Sequence, residues 1–344
     1  MNYTGKIIVL AYPDTFVTVS DEWICKLLPL VGLGTWSFIK AGHAALILVE
    51  NKTGDARYYD FGRYVTPKGY GRTRSADTDV ELTIDFSAQI SANNELTNLN
   101  EFLLWLDTNS QKTHGDGRLL ASVCDVIDFR KAREYVTDLQ HRGSILYGAF
   151  DKSASNCARF VTETILTATS DKKIINGLNF NKIFTPSAVG NVEKAAALGS
   201  VYEVFNGEIK VFKGSAFREN LINYFDKTKP RVSHNSMING KSYSALIPIK
   251  AQKLSGTGSS AWFELTAEED LPKYHFRIKR YNDLHKIDFD GVFFSSEFDI
   301  TQPFEFTYDS HCVYCHVLQK NEKIKLECVA SYAKFNSSRK VRSA

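Results

Sequence analysis

Two hydrophobic patterns alternate along the larger, N-terminal part of the chain. Nearly continuous apolar runs at residues 6–11 and 44–50 are typical of buried strands. The run at 57–61 follows the second of them after a turn that contains Gly54, which predicts a hairpin. Elsewhere apolar residues recur every three or four positions. This spacing predicts helices, one of which begins at Cys157 and ends near residue 168.

Residues 230–344 show a different pattern. Short alternating or aromatic-rich runs are separated by turn residues, and no helical spacing stands out. Regularly spaced short runs are typical of a small antiparallel β-sandwich or partial barrel. We therefore predict an α+β domain over residues 1–229 and a smaller all-β domain over residues 230–344. The predicted strands of the second domain lie at 242–250, 261–265, 274–281, 286–294, 304–308, 313–318 and 323–329.

Two segments are predicted to be exposed to solvent. Residues 67–79 are rich in Gly, Arg, Thr and Asp, a composition that is typical of loops. Near the end of the chain, Lys334, Arg339, Lys340 and Arg342 predict a solvated basic tail.

Composition and charge narrow the functional classes. With 344 residues, 43% of them hydrophobic and 24% charged, the chain has the composition of an ordinary soluble globular protein. A net charge of +3 gives no support to a nucleic-acid surface or a polybasic membrane footprint. No apolar run approaches the roughly 18 residues of a spanning helix, and no signal peptide is recognised. We expect a cytoplasmic protein whose six cysteines are reduced.

The segment around Cys157 carries the most informative chemistry. Polar residues 153–156 precede this cysteine, which the pattern places on the first turn of an amphipathic helix. Unpaired backbone N–H groups and the positive end of the helix dipole favour an anion there. A thiol at that position ionises more readily, and the thiolate is the nucleophilic form. Cys157 is therefore predicted to be a nucleophile.

A histidine and a carboxylate complete the predicted site. His43 immediately precedes the buried run at 44–50, and Asp60 lies between aromatic residues on the hairpin partner. Cys157 shares a helix face with apolar residues that must pack on a sheet. If the strand of His43 belongs to that sheet, its imidazole lies within reach of the thiol. His43 would then take the thiol proton and protonate the leaving group, while Asp60 orients the ring.

The order of these elements resembles that of a known enzyme family. A strand histidine, a polar residue on the partner strand and Asn-Cys at a helix start occur in this order in permuted papain-like enzymes. These enzymes belong to the NlpC/P60 superfamily and include the lecithin-retinol-acyltransferase-like proteins and the PPPDE peptidases. Of the acyltransferase-like signature Asn-Cys-Glu-His-Phe-Val, this chain has Asn156, Cys157, Phe160 and Val161. Tyr147 resembles a tyrosine that precedes the cysteine helix in permuted relatives.

The resemblance implies both a fold and an activity. Residues 1–229 would form an antiparallel sheet flanked by helices, with a thiol hydrolase site where helix and sheet meet. Attack by Cys157 on a peptide, amide, isopeptide or ester carbonyl would give a thioacyl intermediate. Ala158 and Arg159 replace the Glu and His of the signature, so that hydrolysis and lipid or acyl transfer both stay open. The β-domain is predicted to bind a substrate or protein partner, and no cofactor is predicted.

Structural roles are the alternative for every residue of this site. In a catalytically idle fold that acts as a protein-binding module, Cys157 would be a small buried side chain. Asn156 would cap the helix or donate to an oxyanion, for which the backbone N–H of Cys157 is the better donor. Tyr12 and Tyr147 would line the site, although a core or rim position is the ordinary role for Tyr12.

A zinc-dependent interaction protein is a third class to consider. Cys312 and Cys315 are flanked by His311 and His316, and Cys328 lies further along the chain. A second ligand pair of the usual spacing is missing. On an extended strand Cys312 and Cys315 would also project to opposite faces, and we therefore predict no metal site.

Overall fold

The chain folds into two compact units. The computed structural model describes residues 3–197, 199–228, 247–268 and 270–342. The first unit comprises Met1–Gly62, Gly71–Ala76 and Leu82–Pro230. The second unit comprises Arg63–Tyr70, Asp77–Glu81 and Arg231–Ala344, so two short N-terminal segments belong to it. The boundary predicted between residues 229 and 230 lies outside the described residues.

The first unit is built on an eight-stranded sheet with the order β10-β9-β7-β1-β4-β5-β6-β8. The pairs from β10 through β6 are antiparallel. The strands are β1 (Gly5–Tyr12), β2 (Val17–Thr18), β3 (Phe38–Ile39), β4 (His43–Glu50), β5 (Ala56–Gly62), β6 (Tyr70–Arg74), β7 (Leu119–Ile127), β8 (Ile145–Leu146), β9 (Tyr202–Phe205) and β10 (Glu208–Val211). Strands β2 and β3 pair separately with each other.

Helices cover both faces of this sheet. They are α1 (Leu99–Thr108), α2 (Ser110–Thr113), α3 (Phe129–His141), α4 (Cys157–Ala168), α5 (Lys172–Asn181), α6 (Ala188–Ala195) and α7 (Ala216–Tyr224), with 3-10 helices at Cys25–Val31 and Val80–Leu82. Alternate residues of the central strands point to opposite faces. One set packs with α3, α4, α5 and α6, and the other packs with α1. The predicted α+β class is confirmed.

The second unit is a seven-stranded, nearly closed β-barrel with the order β11-β12-β13-β14-β17-β16-β15. Its elements are β11 (Gln252–Ser255), β12 (Ser260–Thr266), β13 (His275–Tyr281), β14 (Ile287–Phe294), β15 (Glu305–Thr307), β16 (Tyr314–Gln319), β17 (Glu322–Ser331) and α8 (Tyr332–Arg342). The Gln252 side chain links the two end strands, because it donates to the carbonyl of Phe304 and accepts from the N–H of Phe306. Aromatic residues such as Phe263 and Phe293 fill the interior.

Three local predictions differ from the structure. Residues 67–79 are not an exposed loop, because β6 pairs with β5 and its residues from Gly71 to Arg74 are buried. Helix α8 spans the basic C-terminal segment, although the pattern of residues 230–344 predicts no helix. Of the strand predicted at 242–250, residues 242–246 lie outside the described residues, and residues 247–250 are not extended. In the part of the chain that is described, no helix is both long and apolar enough to cross a bilayer.

Candidate functional site

Helix α4 begins at Cys157, as the sequence predicts. Asn156 has extended backbone angles, and its side-chain oxygen accepts the N–H of Arg159 at 2.9 Å. This capping bond satisfies one of the N–H groups that an α-helix leaves unpaired at its start. Phe160 and Val161 are fully buried against the sheet, and Cys157 is 8% exposed at the end of the same face. The apolar stripe thus holds the thiol against the sheet.

The β4–β5 hairpin brings His43 and Asp60 together. Asp60 lies opposite Ala45, two residues beyond His43, so the two polar side chains share a sheet face. His43 Nε2 lies 3.5 Å from Asp60 Oδ2. The imidazole also hydrogen-bonds the Cys157 sulfur, so His43 contacts both other members of the predicted site.

Cys157 and His43 meet at the end of β4. Helix α4 packs on the face that holds Ala44, whereas His43 belongs to the opposite face by strand alternation. Because His43 is the first residue of the strand, its ring can reach round the strand end to the sulfur. The thiolate is further stabilised by the backbone N–H groups of Ala44 and Ala158. The sulfur therefore has several donors directed at it.

The contacts favour a thiolate–imidazolium pair. Burial by itself would raise the pKa of the Cys157 thiol, but the hydrogen bond and charge of His43 lower this pKa below its usual value. Burial opposes the charged imidazole as well. Hydrogen bonds to Asp60 and Cys157 outweigh that effect and raise the pKa of His43 to about 9. Both shifts therefore act toward the charged forms, the thiolate of Cys157 and the imidazolium of His43.

Asp60 is held by a buried arginine that sequence reasoning did not assign to the site. Arg74 Nε donates to Asp60 Oδ1 at 3.0 Å, and its Nη2 donates to Oδ2 at 2.6 Å. The Tyr58 hydroxyl donates to the same carboxylate at 3.1 Å. Burial would raise the pKa of Asp60, but the charge of Arg74 and the hydrogen bonds from His43 and Arg74 hold it well below its usual range. Arg74 reaches Asp60 because β6 pairs with β5. The sequence of residues 67–79 does not indicate that pairing, so the role of Arg74 was not predictable.

The three residues predicted to line the site have different surroundings. The ring of Tyr12 stacks beside that of His43 with centroids 6.4 Å apart, and its hydroxyl accepts from Thr113. Asn156 donates its side-chain amide to the carbonyl of Gly148, so that this amide is engaged as part of the helix cap. Tyr147 stacks on Phe61 with centroids 6.0 Å apart. Of the three, Tyr12 lies directly against a predicted catalytic side chain.

Tyr224 on α7 is a neighbour of the site that no sequence pattern indicated. Burial raises the pKa of its phenol, and the nearby charge of Cys157 adds to this effect. Asp116 lies near the other side of the site, where burial raises its carboxyl pKa and the charge of His43 opposes the increase. Both residues are far from Cys157 along the chain, and neither belongs to a recognisable motif.

The cysteines considered as zinc ligands have ordinary buried surroundings. Cys312 and Cys315 are both buried, and burial raises the pKa of the Cys312 thiol to about 12. Burial also raises the pKa of Cys315 well above its usual value. Among the described residues, no group of three His, Cys, Asp or Glu side chains is arranged to hold a metal ion.

Together these features define an α+β unit in which a buried cysteine, histidine and aspartate are in contact. Residues 7–174 match the family model described as type VI secretion system effector TseH-like. The matched segment includes His43, Asp60 and Cys157. Residues 251–329 match a second family model, the DUF6695 C-terminal domain. No curated protein matches the chain.

A solved structure is also similar to part of the chain. It is the crystal structure of the type VI secretion system effector TseH, which is 18% identical in sequence. The superposition covers 62% of this chain and 100% of that chain, with a TM-score of 0.40. A score this low indicates only a loose likeness between the two folds.

Proposed function

We propose that residues 1–229 form a cysteine hydrolase domain with a permuted papain-like arrangement. One observation carries this proposal: the His43 imidazole contacts Asp60 and also hydrogen-bonds the Cys157 sulfur. A nucleophile, a base that contacts it and a third group that orients the base are the parts of a catalytic triad. The histidine strand precedes the cysteine helix in the chain, which is the permuted order.

The proposed reaction proceeds through a thioacyl enzyme. The Cys157 thiolate attacks the carbonyl carbon of an amide, isopeptide or ester, and a tetrahedral oxyanion forms. The carbon–heteroatom bond then breaks, and the His43 imidazolium gives its proton to the leaving amine or alcohol. Neutral His43 next takes a proton from water as the water attacks the thioester. The acid product leaves, and the thiolate–imidazolium pair is restored.

The helix start provides the proposed oxyanion donor. We assign this role to the backbone N–H of Cys157, since preorganised N–H groups stabilise the charge that develops on the carbonyl oxygen. Asn156 is proposed to act indirectly, because its amide donates to Gly148 and its oxygen caps the helix. Tyr12 and Tyr147 are proposed to line the substrate site.

The biological setting is proposed from the matched family. Because the model that matches residues 7–174 describes type VI secretion system effectors, we propose that the hydrolase acts as such an effector. Residues 230–344 are proposed to bind the substrate or a protein partner. The cytoplasmic location stays a prediction, as does the absence of nucleic acid among the partners.

Two alternatives use the same residues. If the thioacyl group passes to an acceptor other than water, the protein is an acyltransferase rather than a hydrolase. If Cys157 does not react, the fold is a protein-binding module. The departure from the acyltransferase-like signature at Ala158 and Arg159 favours hydrolysis.

Acylation by p-nitrophenyl acetate tests the proposal with the full-length protein. We expect a burst of p-nitrophenol and an acetyl group on Cys157, identified by peptide mass spectrometry, followed by turnover as water releases acetate. Cys124 is the internal control, because burial raises the pKa of its thiol to about 12. Acetylation of Cys157 no faster than that of Cys124 would refute the hydrolase. Stable acetylation that only an added amine or alcohol releases would support acyl transfer instead.

A further inference from the structure

The nine residues before Cys157, 148–156, form what we call the approach loop. Its two ends are paired with each other: the N–H of Gly148 donates to the carbonyl of Ser155 at 3.0 Å. The Asn156 amide donates back to the carbonyl of Gly148 at 2.9 Å. The position of the Cys157 helix start is thus tied to the position of residue 148 and its neighbours.

The carboxylate of Glu22 accepts three consecutive backbone N–H groups of this loop. Its Oε2 accepts from Ala149 at 2.6 Å, and its Oε1 accepts from Phe150 at 3.0 Å and from Asp151 at 2.7 Å. Hydrogen bonds from backbone N–H to a charged carboxylate are about twice as strong as neutral ones. Burial would raise the pKa of Glu22, but these hydrogen bonds and that from Ser20 lower it, which keeps the carboxylate charged.

Arg159 holds the carbonyl groups of the same loop from the other side. Its guanidinium donates to the carbonyls of Asp151 and Ala154, both at 2.6 Å, and to that of Ala149 at 3.0 Å. The approach loop is therefore held by two opposite charges. Glu22, just before the 3-10 helix Cys25–Val31, binds its N–H groups, and Arg159, on the first turn of α4, binds its carbonyl groups. A change at either side chain leaves backbone groups without their partners.

The fit of Glu22 at Gly148 is close. A Cβ on Gly148 would lie 3.2 Å from Glu22 Oε1 and 3.0 Å from the Ala154 Cβ. Any side chain at residue 148 must therefore displace the carboxylate or the loop. This crowding offers a second way to disturb the contact while the charge of Glu22 is kept.

We propose that Glu22 is a positioning residue for Cys157. It fixes the approach loop so that the sulfur at the start of α4 stays within hydrogen-bonding distance of His43. This inference rests on the proposed function, because its test measures the reactivity of the Cys157 thiol. Misplacement by about 1 Å is enough to lose much of a catalytic contact.

The test compares Glu22→Gln with Glu163→Gln in the full-length protein. Glutamine keeps the size of Glu22, but its –NH2 group cannot accept an N–H, so at least one loop amide loses its acceptor. Glu163 on α4 is the control for loss of a negative charge, because it pairs with Lys182 and its charge acts on Arg159, but it accepts none of the three loop N–H groups. Rates of Cys157 alkylation by iodoacetamide are measured from pH 4 to 9, with amide hydrogen exchange at residues 149–151 and thermal unfolding as parallel measurements.

At low pH the alkylation rate of Cys157 rises with pH as the thiolate forms. We expect Glu22→Gln to shift this rise to higher pH by about one unit, which is about a tenfold loss of thiolate at low pH. Exchange should quicken at residues 149–151, and Glu163→Gln should change neither measurement. Gly148→Ala should also shift the alkylation profile of Cys157 to higher pH. This variant provides the test if Glu22→Gln does not fold. A lower melting temperature with an unshifted profile would mean that Glu22 has a structural role only.

The two proposals fail in different ways. If Cys157 of the unsubstituted protein reacts no faster than Cys124, the hydrolase proposal fails whatever Glu22 does. If Cys157 is reactive and its profile is the same in Glu22→Gln and Gly148→Ala, the hydrolase proposal stands and the positioning role of Glu22 is wrong.

Discussion

Each unit of the protein buries a cysteine beside charged groups, and the two thiols differ in their acidity. Cys157 in the first unit is 8% exposed and Cys312 in the second is 4% exposed, so exposure does not separate them. The pKa of Cys157 is lowered, whereas burial raises that of Cys312 to about 12. The difference lies in what each sulfur contacts.

Cys312 lies near a cation whose charge is already compensated. Arg280 is buried and donates to three carboxylates, those of Asp79, Glu81 and Asp288. Its attraction for a Cys312 thiolate is opposed by repulsion from Asp79 and Asp288. One backbone N–H, that of Val80, is directed at Cys312, whereas Cys157 has two backbone N–H groups and a hydrogen bond from His43. A buried thiol is activated by donors that hydrogen-bond the sulfur itself and not by the mere presence of a nearby cation.

The largest effect is expected for the second unit. Arg280→Leu should lower the free energy of unfolding by about 3–5 kcal/mol, because it leaves buried carboxylates without their cation. Arg277→Leu is the control, because Arg277 also bonds two carboxylates but is more exposed. Its loss should cost about 1 kcal/mol or less. Urea unfolding measures both, and a loss of about 1 kcal/mol or less for Arg280→Leu would show that its network contributes no more than a surface ion pair.

The next effect sharpens the contrast between the two thiols. His43→Ala should lower the rate of Cys157 alkylation by iodoacetamide at pH 7 by about a hundredfold, a typical contribution of a positioned acid–base group. The rate at Cys312 should not change. His141→Ala, at the exposed end of α3, is the control substitution. If Cys157 keeps its rate without His43, the helix start alone activates the thiol.

A smaller effect is expected from Asp60→Asn. Its carboxylate helps to raise the pKa of His43 to about 9, so its removal should lower that pKa by about one unit or more, measured by NMR titration of the ring. Because this pKa is raised above 6.5, His43 stabilises the fold fully below pH 6.5. That contribution is lost as the pH rises through about 9, and Asp60→Asn should weaken this dependence. An unchanged His43 titration would mean that Arg74 neutralises Asp60 completely.

The smallest effect concerns the helix start that Cys157 has and Cys312 lacks. Asn156→Ala should lower the free energy of unfolding by about 1 kcal/mol, since the N-cap bond to Arg159 is lost. Ser215→Ala at α7 is the matched cap control, and its longer bond of 3.4 Å predicts a smaller loss. Urea unfolding measures both variants. A larger loss at Ser215 would contradict the importance given to the Asn156 cap.

Local pattern was sufficient for the elements that carry the site. The helix beginning at Cys157 and the hairpin that holds His43 and Asp60 are confirmed. Apolar residues at every second position indicate the buried face of a strand, and apolar residues at every third or fourth position indicate that of a helix. Both spacings follow directly from the geometry of the backbone. The strands of the barrel from 261 onward were predictable for the same reason.

Long-range pairing was not predictable in this way. Strand β6 looked like a loop because Gly71 and the neighbouring glycine, proline and aspartate residues are typical of loops, and only pairing with β5 buries the strand. Arg74 therefore appeared exposed, although it is 2% exposed and bound to Asp60. Glu22 was also missed, because its three loop partners lie more than a hundred residues away.

The sequence by itself determined the hairpin that holds His43 and Asp60, the helix that begins at Cys157, and which residue types have suitable chemistry. Only the tertiary structure decided which of those residues meet, and hence the acidity of each thiol. The physical reason is that a pKa depends on the donors, charges and burial within a few ångströms of the group. For Cys157 those donors come from β4 and α4, and for Cys312 the neighbouring charges come from segments far apart in the chain.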